Sequence, residues 1–334
     1  MQTSKEVIKS AIEFKTPDRM PETGDLAGIS WNQAGTGNNN TATHTFDEWD
    51  CGWQKTDLPN MGQITYHPLG NWDDYASFKF PDPDNPNFYI GVEERAKLCD
   101  DSKYIVTGIF MLLFERLHGL RGFENLMTDF YLEREKIENL ADRIVEYDLR
   151  IIENMARLCP GKINGFNFTD DWGTETALMI NPKLWNDFFK PRYKKIFDKC
   201  HEYGWHVWMH TCGYVNDIIE PLIEIGCDVI NLLQPRALGI EEIGKRFAGR
   251  ICFETTCDIQ HTLPFKSSVE IEEEARMLVE YWGTDKGGFI LGNYGDISAI
   301  GTKPESIDVM FEAFQKNDRW KKPRLKAHDD LPFA

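Results

Sequence analysis

The sequence lacks the features that mark membrane-embedded and exported proteins. Its longest apolar run, from Tyr104 to Phe114, is too short to cross a bilayer and is interrupted by Thr107 and Gly108. The first residues, MQTSKEVIKSAIEF, contain no apolar core of the kind that a secretory signal needs. These two absences predict a cytoplasmic protein that does not enter the membrane.

Positive charge is also scarce. The chain has 37 Lys and Arg residues against 54 Asp and Glu residues, which gives a formal net charge of −17. A field of this sign repels phosphate backbones and anionic membrane surfaces. We therefore expect neither a nucleic-acid partner nor a membrane partner.

Two other patterns are missing. Eight cysteines spread over 334 residues do not form the dense framework of a small disulfide-stabilised domain. No Gly-x-Gly-x-x-Gly follows any strand-like run, which removes the main reason to expect a dinucleotide-binding fold. Most thiols are therefore expected to be buried as small apolar side chains, with exceptions at a functional site.

What the sequence does contain is a regular alternation of strand-like runs and amphipathic helices. Hydrophobic residues make up 41% of the chain, enough for a substantial core. Six strand-like runs begin at Tyr104, Ile163, Trp205, Cys227, Arg250 and Gly287, and RMPETGDL near Met20 could supply another. Parallel strands joined by right-handed crossovers are expected. The count favours an α/β fold with a single (β/α)8 barrel, one domain over residues 1–334.

Two helices carry readable start signals. Ser267 followed three residues later by Glu270 predicts a capping box. Pro304 stands where a first-turn proline belongs.

Residues 28–87 differ from the rest of the chain. The segment is polar, turn-rich and rich in tryptophan, and it includes Trp31, Trp49 and Trp53. It predicts an insertion, a hairpin plus loops, that lies over the strand-end face of the barrel.

Polar residues follow most of the predicted strands, at the end where barrel enzymes carry their chemistry. These residues are Asp170, Asp171 and Trp172; His210 and Cys212; Asn231 and Gln234; Glu254 and Cys257; and Asn293, Tyr294 and Asp296. The alternative interpretation is that they only form hydrogen bonds with loops and water.

His210 and Cys212 are two residues apart on a strand, so their side chains point to the same face. Imidazole nitrogen and thiolate sulfur are both zinc ligands, and an open fourth position would make the metal catalytic. For the third ligand we rank Cys257 first, Glu254 second and Cys252 third. The alternative is a buried strand histidine beside an inert thiol.

The Asp170–Asp171 pair allows two roles. One aspartate could cap the following helix while the other points inward, where it acts as a general acid or orients a substrate.

The ordered segments FTDDWGTET, PRYKKIFDKCHEYGWHVWMHTCGYV, LIEIGCDVINLLQP, CDIQHTLP and GGFILGNYGDI resemble the uroporphyrinogen decarboxylase superfamily. The resemblance implies a single (β/α)8 barrel. True uroporphyrinogen decarboxylases carry an arginine-rich N-terminal segment that binds a substrate with many carboxylates. This chain has only Arg19 there, so we do not expect it to decarboxylate uroporphyrinogen.

The superfamily also contains corrinoid-dependent methyltransferases. Those acting on coenzyme M hold zinc with a His-x-Cys pair plus a later cysteine on the last strand, and HTCG matches the pair at His210 and Cys212. The last strand here reads LGNYGDI and has no cysteine, so neither the third ligand nor the thiol substrate carries over. The Trp-rich insertion resembles the O-demethylase methyltransferases, which transfer methyl groups from methoxylated aromatic compounds to a corrinoid protein.

The resemblance therefore predicts methyl transfer from an aryl methyl ether to the cobalt of a partner corrinoid protein. Zinc would be held by His210, Cys212 and Cys257, and Asp170, Asp171 or Tyr294 would donate a proton or orient the substrate. The expected substrate contacts are Trp31, Trp172, Asn231 and Gln234, with Trp49 and Trp53 also near the barrel mouth. Two alternatives remain: a zinc-dependent methyl transfer from the corrinoid to a thiol, and a ligand-binding barrel without this chemistry.

Overall fold

The fold is given by a computed structural model that describes residues 1–33, 44–55 and 62–321. The strands of that part of the chain are β1 (Leu26–Gly28), β2 (His44–Phe46), β3 (Gly52–Gln54), β4 (Gln63–Tyr66), β5 (Tyr104–Ile109), β6 (Gly165–Thr169), β7 (His206–His210), β8 (Val229–Asn231), β9 (Cys252–Thr255) and β10 (Phe289–Leu291). Its α-helices are α1 (Ser4–Ile12), α2 (Val92–Leu98), α3 (Phe114–Arg121), α4 (Phe123–Leu132), α5 (Arg134–Leu158), α6 (Pro182–Leu184), α7 (Lys190–Glu202), α8 (Asn216–Glu224), α9 (Pro235–Leu238), α10 (Ile240–Phe247), α11 (Thr262–Phe265), α12 (Ser268–Trp282) and α13 (Pro304–Lys316).

The main sheet has seven strands in the order β1, β5, β6, β7, β8, β9, β10, and every neighbouring pair is parallel. Its far edge meets the N-terminal segment again. Glu22 forms a parallel bridge with Leu291, whose N–H donates to the Pro21 carbonyl oxygen at 2.9 Å. The sheet therefore curls into a barrel, as predicted. RMPETGDL supplies this closing contact and leads into β1, and the described residues form no separate eighth strand.

Helices surround the sheet where the sequence predicts them. The Ser267 side chain accepts from the Glu270 N–H, and the Glu270 side chain accepts in return, so the predicted capping box begins α12. Such caps are each worth about 1 kcal/mol. Pro304 is the first residue of α13. Within the described ranges, none of the helices combines the length and apolarity needed to span a bilayer.

The inner face of the barrel is apolar at one end and polar at the other. Inward-facing side chains near the amino ends of the strands form a cluster closed by α1, here called the barrel floor: Ile8, Ala11, Ile12, Tyr104, Trp208, Val229, Cys252 and Ile290. Strand side chains alternate in direction, so each next inward residue lies two positions further along its strand. Above the floor those residues include His210, Asn231 and Glu254, which places the polar site at the strand ends.

The outer faces of the strands are equally buried. Their side chains pack under the helices in the main core and include Phe168, Met209, Ile230, Phe253 and Phe289. Burial of both faces explains why these strands read as nearly continuous apolar runs in the sequence.

A second sheet lies within residues 28–87. Strands β2, β3 and β4 form an antiparallel sheet. His67 Nδ1 lies 2.7 Å from the Gly119 carbonyl oxygen and the Leu69 N–H donates to Leu120 at 3.0 Å, so the segment packs on α3. The extent of the insertion stays a prediction, and residues 34–43 and 56–61 lie outside the described part.

Two of the predicted mouth tryptophans pack this small sheet. Trp49 lies edge-on to Tyr147 of α5, with ring centroids 4.8 Å apart. Trp53 Nε1 donates to Asp47 Oδ2 at 3.1 Å. Both side chains are buried, so their role here is structural.

Candidate metal centre

Three potential metal ligands meet at the carboxyl ends of β6 and β7. In the sheet register Thr169 lies opposite His210, and Asp171 and Cys212 each follow two residues later. The ligand atoms of Asp171, His210 and Cys212 all lie within 4.8 Å of one another. Cys212 Sγ is 3.4 Å and Asp171 Oδ1 is 3.6 Å from His210 Nε2. The predicted His-x-Cys pair therefore does converge, with Asp171 as its third member.

The tautomer of His210 follows from its neighbour on β8. His210 Nδ1 lies 2.5 Å from Asn231 Oδ1, an oxygen that can only accept, so Nδ1 carries the proton. The Nε2 lone pair then faces Cys212 and Asp171, which is the state a metal requires. Asn231 was predicted to contact substrate; in this structure it orients His210.

Glu254 supports Asn231 in turn. It lies opposite Asn231 in the register, and its carboxylate accepts a hydrogen bond from the Asn231 side chain. Burial raises the Glu254 pKa to about 7, although that hydrogen bond works to lower it. Glu254, the second-ranked third ligand, lies outside the three-residue group and acts behind Asn231.

The first-ranked third ligand is not at the site. The Cys257 thiol is fully buried and lies 3.6 Å from the Ile271 carbonyl oxygen of α12, on the outside of the barrel. Cys257 lies two residues past the end of β9, where its side chain turns toward α12 and away from the inner face that carries Cys252. Cys252 faces inward but belongs to the barrel floor. This geometry corrects the predicted ligand set, and Asp171 takes the third place.

The donor set fits a zinc-like cation. Burial, followed by the negative charge of Asp171, raises the pKa of the Cys212 thiol well above its usual range. A divalent cation between these groups would reverse that effect by favouring the thiolate. One nitrogen, one sulfur and one carboxylate oxygen leave a fourth position for a substrate atom or water.

Two glycines let the loops after β6 and β7 cross at backbone distance. A Cβ at Gly173 would lie 2.5 Å from Tyr214 N, and one at Gly213 would lie 2.4 Å from the Gly173 carbonyl carbon. Gly213 also has φ of +77°, a conformation that favours glycine. The Gly173 N–H donates to the Cys212 carbonyl oxygen at 3.1 Å. This crossing brings Asp171 and Cys212 together.

Gln234, which follows β8, forms hydrogen bonds with both of the loops that cross here. Its Oε1 accepts from the Gly213 N–H at 2.7 Å and its Nε2 donates to Glu175 Oε1 at 3.0 Å. Both ends of the amide are therefore used within the protein, and the side chain is buried. The predicted substrate contact is a positioning residue for the Cys212 loop.

Asp170 caps a helix. Its carboxylate accepts the backbone N–H groups of Leu113, Phe114 and Glu115 at 3.0, 2.7 and 2.6 Å, together with the Tyr193 hydroxyl. Burial raises its pKa to about 6, while these hydrogen bonds oppose the shift. The alternative that one aspartate caps a helix describes this residue, but the helix is the upstream α3. Asp170 has no free face for a proton-donor role.

Of the two tryptophans predicted to bind substrate, Trp172 lies in the core. It stacks on Phe114 with ring centroids 4.2 Å apart and is fully buried. Trp31 is also mostly buried, and its Nε1 donates to the Gly108 carbonyl oxygen at 2.9 Å, but it lines an open cavity at the strand ends.

Tyr294, which follows β10, lies within the field of the cluster. Burial raises its pKa first, and the negative charges of Cys212, Asp296 and Asp171 add to the rise. The phenol therefore keeps its proton beside the cluster, and a donor or orienting role stays a prediction.

Glu115 belongs to this neighbourhood and is absent from the sequence prediction. Its Oε2 is buried and has no hydrogen-bond partner among the described residues. Burial, then the charges of Asp170 and Asp171, raise its pKa well above the usual range. The only feature of the sequence that could have indicated Glu115 is its position shortly after a predicted strand. Many surface glutamates have such a position, so this feature does not single it out.

The family profile described as Uroporphyrinogen decarboxylase (URO-D) matches residues 68–317, about three quarters of the chain. A methyltransferase from Methanosarcina mazei superposes with a TM-score of 0.69 at 15% identity, covering 95% of this chain and 99% of that one. Native xylanase 10B from Thermotoga maritima superposes with a TM-score of 0.42 at 10% identity, covering 93% of this chain and 98% of the xylanase. This similarity is too remote to bear on function. No curated protein matches the chain. At these identities the structural likeness shows the barrel fold alone.

Proposed function

The chain belongs to the uroporphyrinogen decarboxylase family, and from that premise we propose that it is a corrinoid-dependent methyltransferase. The proposed reaction moves a methyl group from a methoxylated aromatic compound to the cobalt of a separate corrinoid protein. The observation that carries the proposal is the convergence of Asp171, His210 and Cys212 at the strand ends.

The charges near the N-terminal segment do not favour binding of uroporphyrinogen, the substrate of the decarboxylase reaction. Arg19, the one arginine there, donates two hydrogen bonds to the carboxylate of Asp25 at 2.7 and 2.5 Å. That arginine is already neutralised, and the net charge is −17. A substrate carrying many carboxylates would meet a repulsive field.

The chemistry explains why a metal cluster suits this reaction. Methyl transfer breaks the methyl C–O bond and leaves both electrons on the aryl oxygen, a poor leaving group unless its charge is stabilised. Zinc bound at the cluster would supply Lewis acidity to that oxygen. The attacking electron pair belongs to the corrinoid cofactor of the partner.

The residues of the chain have distinct parts in this proposal. His210 presents its Nε2 lone pair because Asn231 holds the proton on Nδ1. Asp171 accepts the Cys212 N–H at 2.9 Å, which keeps its carboxylate beside the thiol. Burial, followed by the charges of Cys212, Asp296 and Asp171, raises the pKa of Tyr294, so its phenol keeps a proton and is the candidate to donate it to the departing oxygen.

The test is a methyl-transfer assay. Zinc-loaded protein is mixed with a methoxyarene and cob(I)alamin, and formation of methylcobalamin is followed by its absorption spectrum. We expect transfer by the unmodified protein and by Cys257→Ala, and a loss of at least 100-fold in His210→Ala, since His210 is a metal ligand.

Two other outcomes would replace the proposal. Methyl transfer from methylcobalamin to a thiol, without activity on methoxyarenes, would assign the thiol methyltransferase reaction. No transfer in either direction, with zinc bound, would leave a ligand-binding barrel.

A further inference from the structure

An open cavity of about 760 Å³ lies at the strand ends beside the metal cluster. It is lined by residues 28–33 and 106–110 together with Asn167 and Thr169. Thr169 lies opposite His210 in the register of β6 and β7. Neighbouring strands are about 4.8 Å apart, so this cavity wall adjoins the metal cluster.

None of the lining residues that the structure describes has an ionisable side chain. Residues 28–33 read GISWNQ and residues 106–110 read VTGIF, and the other lining residues described are Asn167 and Thr169. A charged ligand entering this space would lose hydration without a counter-charge from the wall, which is costly. The lining therefore favours an uncharged ligand.

Most side-chain amides of the lining are already used. Gln33 Nε2 donates to the Phe110 carbonyl oxygen and to Glu48, and Gln33 Oε1 accepts from the Phe110 N–H. Asn32 Nδ2 donates to the Asn87 carbonyl oxygen at 3.1 Å. Across residues 1–33, 44–55 and 62–321, the Asn167 side chain has no hydrogen-bond partner, so its amide is free for a ligand.

The distance along β6 from Asn167 to the level of His210 matches the length of an aromatic ring. Asn167 lies opposite Trp208 of the barrel floor, and Thr169, the next inward residue, lies opposite His210. A two-residue step along a strand spans roughly 6.6 Å. That is close to the distance between the two substituents of a benzene ring substituted at positions 1 and 4.

We propose that this cavity binds an uncharged methoxyarene, with the Asn167 amide hydrogen-bonded to a polar ring substituent and the methoxy group toward His210 and Cys212. The direction of the methoxy group rests on the proposed function. The preference for a neutral ligand and the role of Asn167 rest on the cavity alone.

Three ligands that differ in a single ring substituent test the charge preference. Binding of 4-methoxyphenol, 4-methoxybenzoate and (4-methoxyphenyl)trimethylammonium to the zinc-loaded protein is measured by calorimetry at pH 7. We expect the neutral phenol to bind at least 10-fold more tightly than either ion. Equal or tighter binding of either ion overturns the inference.

Methoxybenzene and a substitution test the hydrogen bond. Methoxybenzene lacks the hydroxyl group, so we expect it to bind about 10-fold more weakly than 4-methoxyphenol. Asn167→Leu should remove that difference by weakening the phenol alone. Equal affinities in the unmodified protein, a comparison that needs no variant, overturn the role of Asn167.

A charge-introducing variant gives a positive readout. Asn167→Lys should create binding of 4-methoxybenzoate, whereas Thr176→Lys, which adds the same charge on the exposed loop after β6, should not. Benzoate binding that is equal in the two variants would contradict the assignment.

Binding and methyl transfer can fail separately. Asn167-dependent binding without methyl transfer to cobalamin would refute the proposed function and leave the ligand class standing. Methyl transfer that is as fast from 4-methoxybenzoate as from 4-methoxyphenol would support the proposed function and refute the inference.

Discussion

At the residue scale, the metal cluster depends on which ring nitrogen of His210 carries the proton. Asn231 decides this through a single hydrogen bond, and Glu254 holds Asn231 in place. Metal ligands are commonly oriented by such outer partners, whose loss costs 10- to 100-fold in metal affinity.

The first prediction concerns this hydrogen bond. Asn231→Leu removes the acceptor for His210 Nδ1, so we expect zinc affinity to fall by about 10- to 100-fold. Affinity is measured by competition with a chromogenic chelator. The double variant Asn231→Asp/Glu254→Gln exchanges donor and acceptor between these two residues and keeps an acceptor for His210 Nδ1, so it should retain most of the affinity. Equal losses in Asn231→Leu and in the double variant would contradict the role of Asn231.

The second prediction concerns Glu254 and pH. In the unfolded chain a glutamate titrates near pH 4.3, roughly, whereas in the fold the Glu254 pKa is about 7. Because the pKa of Glu254 is higher in the folded than in the unfolded state, the protonated carboxyl group contributes fully to stability below about pH 4. This contribution is lost progressively as the pH rises from there through 7. The stability of Glu254→Gln relative to the unmodified protein should therefore increase by about 2.5 kcal/mol between pH 5 and pH 8.

The measurement is urea unfolding of the metal-free protein at the two pH values. Glu312→Gln, on the exposed face of α13, provides the control and should shift stability equally at both. A Glu254→Gln effect that does not change between pH 5 and pH 8 would argue against the buried carboxyl.

At the element scale, α3 begins on the carboxylate of Asp170. Three backbone N–H groups of the Leu113–Glu115 segment and the Tyr193 hydroxyl share that carboxylate, and Asp171 follows it directly. The start of α3 is therefore tied to the residue that precedes a metal ligand.

The third prediction tests this tie. Asp170→Ala leaves three buried N–H groups without a partner, so we expect a loss of about 3 kcal/mol in the free energy of unfolding. Tyr193→Phe removes only one of the four donors and should cost about 1 kcal/mol. Urea denaturation measures both, and a smaller loss in Asp170→Ala than in Tyr193→Phe would be inconsistent with the cap.

The fourth prediction concerns the crossing of the loops after β6 and β7. Gly173→Ala would place a methyl group 2.5 Å from Tyr214 N, so the loops must separate and zinc affinity should fall at least 10-fold. Gly24→Ala is the control, because the nearest atom to a Cβ there lies at 3.5 Å. Retained zinc affinity in Gly173→Ala would show that the crossing does not position the ligands.

These elements also show where sequence reasoning succeeds. The strand runs from Tyr104 onward, the capping box at Ser267 and the first-turn Pro304 were all predictable, because each depends on local periodicity or local hydrogen bonds. The third ligand was not. Cys257 lies beyond the last residue of β9, and its direction depends on which strand residues face inward.

At the scale of the whole molecule, the barrel brings together residues that are distant in the chain. Asp171 and His210 are separated by a crossover, and their meeting depends on the parallel register of β6 and β7. The strand register could not be read from the sequence, so the sequence alone could not show which of Asp170 and Asp171 caps a helix and which points inward. Alternation from Thr169 turns Asp171 inward and Asp170 toward α3.

The same scale explains the misplaced aromatic residues. All four of Trp31, Trp49, Trp53 and Trp172 are buried, and Trp31 alone of them lines the cavity at the strand ends. A tryptophan in a polar segment suggests a binding surface, but the segment has its own small sheet and needs its own core.

The most direct test of the account is the zinc K-edge X-ray absorption spectrum of the purified protein. The account predicts one sulfur at about 2.3 Å with nitrogen and oxygen ligands in the remaining positions. It predicts the same spectrum in Cys257→Ala and loss of the sulfur signal in Cys212→Ala. Two sulfur ligands, or a spectrum that changes with Cys257 and not with Cys212, would contradict the cluster of Asp171, His210 and Cys212.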